Sequence, residues 1–137
     1  MIQQTMCTSF KAEILQGVHD LTSNVLRLAL YTDAASLGAD TTVYTSVGEA
    51  SGGGYSAGGR LVYGATISIS GTTALVTFNN VTWPTGGFTA RGGLLYNASK
   101  SNKAIAVLDF GATKTATSPF TVYMPENTVN TALLRIA

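Results

Sequence analysis

Between Leu94 and Gly111 the chain reads LLYNASKSNKAIAVLDFG, two apolar runs around the polar loop Asn97-Ala98-Ser99-Lys100-Ser101-Asn102. Apolar runs joined by a short polar loop are the sequence form of a β-hairpin. Strand alternation puts Ile105 and Val107 on one side and Ala104, Ala106, Leu108 and Phe110 on the other, so the strand is apolar on both faces. A strand of a small antiparallel sheet normally shows water one polar face. The second face of this hairpin needs a cover, and in 137 residues the expected cover is a facing sheet or another subunit.

A chain of this length makes one domain and buries roughly two thirds of its unfolded surface, enough for a core without staples. We expect residues 1–9 to form an N-terminal arm and residues 10–137 a single β-sandwich domain. Charged residues are 11% of the chain, against about 25% in ordinary soluble domains. Such a surface suits a component of an assembly. The net charge is +1 and the Lys and Arg residues are scattered, with no basic stripe to follow a phosphate backbone, so nucleic acid is not an expected partner. No apolar run approaches the roughly 20 residues of a membrane helix. The opening MIQQTMCTSF lacks the basic start and apolar stretch of a secretory signal, so a cytosolic site of synthesis is the expectation. Cys7 is the only cysteine and reads as an incidental free thiol.

Phe10, Ile14, Val18 and Leu21 recur at helical spacing, with Thr8 or Ser9 as cap and Asp20 to Asn24 as stop. From Leu26 the period becomes two: Leu26, Leu28 and Leu30 alternate with Arg27, Ala29 and Tyr31. Asp33 to Gly59 is small and polar, with a possible strand at Thr42-Val43-Tyr44-Thr45, and ends in SGGGYSAGG, which would hold Tyr55 exposed between glycines. Arg60 to Ser70 reads as one strand, turned by Gly71-Thr72 into Thr73 to Asn79. Val81 to Trp83, Phe88 to Asn97, Lys103 to Phe110, Phe120 to Met124 and Leu133 to Ile136 complete about eight short strands after one helix. Helices do not alternate with strands, which excludes a parallel α/β sheet. The expected fold is all-β: an antiparallel, jelly-roll-like β-sandwich with one short N-terminal helix.

Catalytic groupings are not evident. His19 has Asp20 beside it in sequence, but adjacent helical positions point apart. The carboxylates Glu13, Asp20, Asp33, Asp40, Glu49, Asp109 and Glu126 lie in different elements, without the facing pair a glycosidase needs. Asp33, Asp40 and Glu49 share a loop but lack the spacing of a calcium loop. The Gly52–Gly59 stretch lacks the Gly-Lys-Ser/Thr end of a phosphate loop. Asp109, on the face of Ile105 and Val107, calls for a partner, and Arg91 across the hairpin supplies one. Trp83, next to Pro84 and followed by Phe88, reads as core filling or as an interface anchor. No enzyme activity, cofactor or metal is expected.

Five segments together, FKAEILQGVHDL, LRLALYTDAASL, GGYSAGGRLV, TFNNVTWPTGGFTARGGLLYN and NKAIAVLDFG, resemble a family of small virion proteins of tailed bacteriophages. The resemblance runs from Phe10 to Ala137. It implies a jelly-roll capsid cement, or decoration, protein that sits on the outer surface of the icosahedral head and braces its capsomer joints. The implied partners are the major capsid protein and other copies of the chain, as a dimer or trimer. Contacts are then expected from Gln3, Gln4 and Cys7 in the arm, from Glu49, Tyr55 and Arg60 around the glycine loop, and from Trp83 and Phe88. The competing expectation is a receptor- or glycan-binding module of a tail fibre or spike, with Tyr55, Tyr63 and Tyr96 as its aromatic platform.

Overall fold

From Leu26 onward, short apolar stretches separated by turn residues pair antiparallel in every sheet. The computed structural model describes residues 1–125, 128 and 130–136; the carboxylate of Glu126 lies outside them. Its elements are β1 (Thr5–Met6), α1 (Thr8–Leu15), β2 (Leu26–Tyr31), β3 (Arg60–Val62), β4 (Thr66–Ser70), β5 (Thr73–Thr77), β6 (Val81–Trp83), β7 (Thr89–Asn97), β8 (Lys103–Thr115), β9 (Phe120–Val122) and β10 (Leu134–Ile136). They form a five-stranded sheet ordered β1-β8-β7-β2-β3, a three-stranded sheet β10-β5-β4 and a two-stranded sheet β6-β9. The protein is an all-β sandwich with one short helix.

Register sorts the side chains of the large sheet, because residues paired across antiparallel strands share a face. Leu28 pairs with Leu95, Leu95 with Ala106 and Ala106 with Met6, which puts these four on one face with Leu26, Leu30 and Leu108. Phe120 and Val122 of β9 line a cavity with Leu108, and Met6 lines another with Val76 of β5 and Leu134 of β10, so the smaller sheets lie on the side of this face. Ala29, Leu94 and Val107 lie on the other face with Arg27, Tyr31 and Tyr96.

The cover of that second face is neither a facing sheet nor another subunit. It is the loop between β2 and β3. The Tyr44 ring stacks on Tyr96 at 4.9 Å, and the Tyr31 hydroxyl donates to the Thr45 carbonyl at 2.6 Å. Arg27 donates through Nε and Nη2 to the Gly58 and Gly59 carbonyls. At Gly59 a Cβ would fall 1.8 Å from the Leu28 carbonyl oxygen, so only glycine lets the loop lie this close to β2. A β-bulge at Ile105 also shifts the alternation. Leu95 pairs with Ala106 but Tyr96 with Ala104, so the two alanines face opposite ways, against the simple period of two.

Several boundaries differ from the sequence reading. Residues 1–9 are not a free arm. The N-terminal ammonium donates to Ala35, Ile2 is buried and bridges Leu37, and Thr5 and Met6 pair with Val107 and Ala106. A two-residue strand shows no period in sequence, yet it occupies a ladder edge of β8 that would otherwise stand open. The helix begins at Thr8, with Cys7 as an N-cap that makes no side-chain hydrogen bond, and ends six residues short of Leu21. Gly17 at φ 72°, with Gly17 N–H on Ile14 and Val18 N–H on Glu13, makes a Schellman stop. Arg60 to Ser70 is two strands rather than one. The chain turns at Gly64 (φ 74°), and β3 and β4 belong to different sheets. The expected strand at Thr42–Thr45 is a single bridge, Val43 to Lys103.

Candidate functional site

Glu49 is held in the loop that covers the large sheet. Its carboxylate accepts from the Tyr44 hydroxyl (2.6 Å), the Tyr55 hydroxyl (2.5 Å) and the Gly58 N–H (2.8 Å). Tyr55 Oη in turn accepts from the Leu30 N–H at 2.9 Å, taking the place of a ladder partner beyond the end of β3. Burial, reinforced by the Glu49 charge, pushes the Tyr44 hydroxyl up to about 12 and raises Tyr55 and Tyr31 further. A carboxylate that accepts from three donors is a structural node, with three of its four lone-pair sites taken. Tyr55, expected to be exposed between glycines, is therefore buried. Its flanking glycines bend the chain inward.

The single histidine is equally committed. Its side chain is fully buried, with Nε2 2.9 Å from Glu13 Oε1. Asn97 donates from Nδ2 to His19 Nδ1 (3.0 Å) and to Asn24 Oδ1 (2.9 Å), while its own Oδ1 accepts from the Ser99 N–H. With Nδ1 accepting, Nε2 carries the proton and donates to Glu13. Cys7 lies at the start of α1, fully buried; burial, with the Glu13 charge second, pushes its thiol up to about 11. Such a thiol is unreactive at neutral pH. These groups fasten α1 and the following turn to the end of the hairpin.

The pair expected between Arg91 and Asp109 is present, Nε to Oδ1 at 3.0 Å, and Asp33 stands 3.9 Å from the same guanidinium. The Arg91 hydrogen bond, followed by the Gly111 N–H, holds the Asp109 carboxyl below the usual carboxylate range. Trp83 and Phe88 fill the core, 1% and 4% exposed, in a ring cluster with Tyr55 and Phe120. The Trp83 Nε1–H finds no acceptor among the described residues.

Of the eight residues expected at an interface, Cys7, Tyr55, Trp83 and Phe88 are interior and present no side chain to a partner. Glu49 is taken up by its tyrosines. Gln3, Gln4 and Arg60 are exposed, although Gln4 Oε1 already accepts from the Asp109 N–H. The exposed surface also carries large aliphatic side chains. Between α1 and the β10-β5-β4 sheet runs an apolar groove of about 410 Å³, with Phe10 and Ile14 on one wall and Ile67, Val76 and Ile136 on the other. At its rim Leu15, Ile69, Ile67 and Ile136 are 89%, 79%, 53% and 54% exposed. Sequence reasoning missed this rim because TISIS alternates like a half-buried strand, and alternation does not say whether the buried side finds a partner.

Among the described residues no cluster of His, Cys, Asp and Glu could hold a metal, and no helix is long and apolar enough to cross a membrane. Fold and surface together define an all-β sandwich with interior polar nodes and an aliphatic rim. Set against protein-family models, curated proteins and solved structures, the chain matches none.

Proposed function

We propose that the chain is a structural component of a tailed-bacteriophage particle, a non-enzymatic cement protein on the outer surface of the head. The observation that carries this reading is the distribution of its chemistry. Glu13, His19, Glu49 and Asp109 are spent on internal bonds, whereas large aliphatic side chains stand outside. A protein that works by contact with an ordered lattice needs only a shaped surface. Repetition over that lattice lets individually weak contacts hold through effective concentration. The resemblance of the five sequence segments to small virion proteins supports the same reading. The proposal includes the jelly-roll relationship and the major capsid protein as partner.

The fibre or spike alternative loses its aromatic platform. Tyr55 and Tyr96 are buried, with Tyr96 donating to the Gly58 carbonyl, and only Tyr63 of the three stands exposed. The test is the copy number of this chain in purified particles, read by quantitative mass spectrometry against the major capsid protein. Hundreds of copies per particle are expected. Tens, or none, would contradict the head assignment.

A further inference from the structure

Each sheet edge has to keep stray strands from pairing with it, usually with charge, proline or shortness. β1 has two residues, β3 carries Arg60, β10 carries Arg135, β6 runs into Pro84 and β9 follows Pro119. β4 has none of these devices. It is a five-residue edge, Thr-Ile-Ser-Ile-Ser, in a stretch with no charged residue between Arg60 and Arg91.

The turn fixes which backbone groups this edge presents. Gly71-Thr72 is a two-residue loop with Gly71 at φ 61°, so Ser70 and Thr73 form the hydrogen-bonded pair that closes it. Alternation then turns the N–H and C=O groups of Thr66, Ser68 and Ser70 towards β5, and those of Ile67 and Ile69 outward. We infer that β4 pairs antiparallel with β4 of a second copy about a two-fold axis at Ser68, joining two three-stranded sheets into one of six.

In this register Ile67 faces the partner's Ile69, and their outward groups form the new ladder. Thr66 faces the partner's Ser70, and the two Ser68 residues face each other. Paired residues share a face, so four isoleucines make one row, continuous with Val76 and Ile136. That face is the wall of the groove opposite α1, so both helices lie on one side of the joined sheet.

Three observations select a second copy as the occupant. The edge is self-complementary under a two-fold, as an isologous contact requires. Its uncharged stretch offers nothing to a charged partner and no repulsion to an identical one. An interface of standard size takes on the order of 800 Å² from each partner, more than a five-residue edge provides alone. Ile67 and Ile69, 53% and 79% exposed, add aliphatic area on the edge itself. The inference rests on the sheet geometry and not on the particle reading.

Sedimentation of the purified chain tests it. The expected mass is twice 14.2 kDa, and Ile69→Lys, which places a charge at a mostly exposed position, is expected to return the monomer with an unchanged circular dichroism spectrum. Under mild oxidation Ser68→Cys is expected to give a disulfide-linked dimer, since its partner lies opposite at disulfide range. Thr66→Cys, which faces a serine, is not. A monomer at all concentrations, a dimer indifferent to Ile69→Lys, or crosslinking that fails at position 68 or is equal at 66 would overturn the pairing. A monomer found at high copy in particles would overturn this inference and leave the particle reading standing.

Discussion

At the scale of single residues, the polar groups of this protein act as fasteners. Asn97 is fully buried and ties the turn after α1 to the hairpin loop through His19, Asn24 and Ser99. Asn97→Ala strands those partners without a hydrogen bond, and we expect a loss of about 2–3 kcal/mol in a denaturant titration; a loss below the scatter of such titrations would contradict the role. The Arg91–Asp109 pair was legible in the sequence because a hairpin brings its two strands opposite each other over a short loop. Tyr55 was not. Its glycine neighbours are a local signal for an exposed loop, whereas its burial answers a distant need, the Leu30 N–H left without a ladder partner. The Cys7 thiol is likewise explained only by the chain folded over it.

Elements were legible where their period was long enough to read. β2 and β7 stand where alternation placed them; β8 begins at Lys103 as expected but runs on to Thr115, past the expected end at Phe110, and the helix holds only Phe10 and Ile14 of its expected stripe. β1 was hidden by its length, and the break between β3 and β4 was hidden because Gly64 interrupts an otherwise even strand pattern. The largest difference concerns the loop from residue 32 to residue 59. It has almost no regular structure, yet it is the lid of the sheet, held down by Glu49, Arg27 and the Tyr44–Tyr96 stack. Its anchoring carboxylate accepts from two hydroxyls and one amide, so Glu49→Ala is expected to cost about 3 kcal/mol. Hydrogen exchange should locate the change, with the Gly58 and Ala50 amides exchanging faster while those of β7 and β8 stay protected. Unchanged exchange at Gly58 would remove Glu49 as the anchor.

At the scale of the whole molecule, the doubly apolar hairpin that dominates the sequence does not by itself call for a subunit. The chain covers both faces, one with the smaller sheets and one with its own loop. The large aliphatic side chains that stay exposed include Leu15 of α1, Ile67 and Ile69 of β4 and Ile136 of β10. Few charges, committed titratable groups and exposed aliphatic side chains are the observations on which the proposed cement role rests. The most direct measurement is the robustness of phage heads with and without this chain, followed by DNA release on heating and in low salt. If the chain is a cement, heads lacking it release their DNA at a lower temperature, and adding the purified protein back restores the difference. Heads equally robust without it would contradict the account.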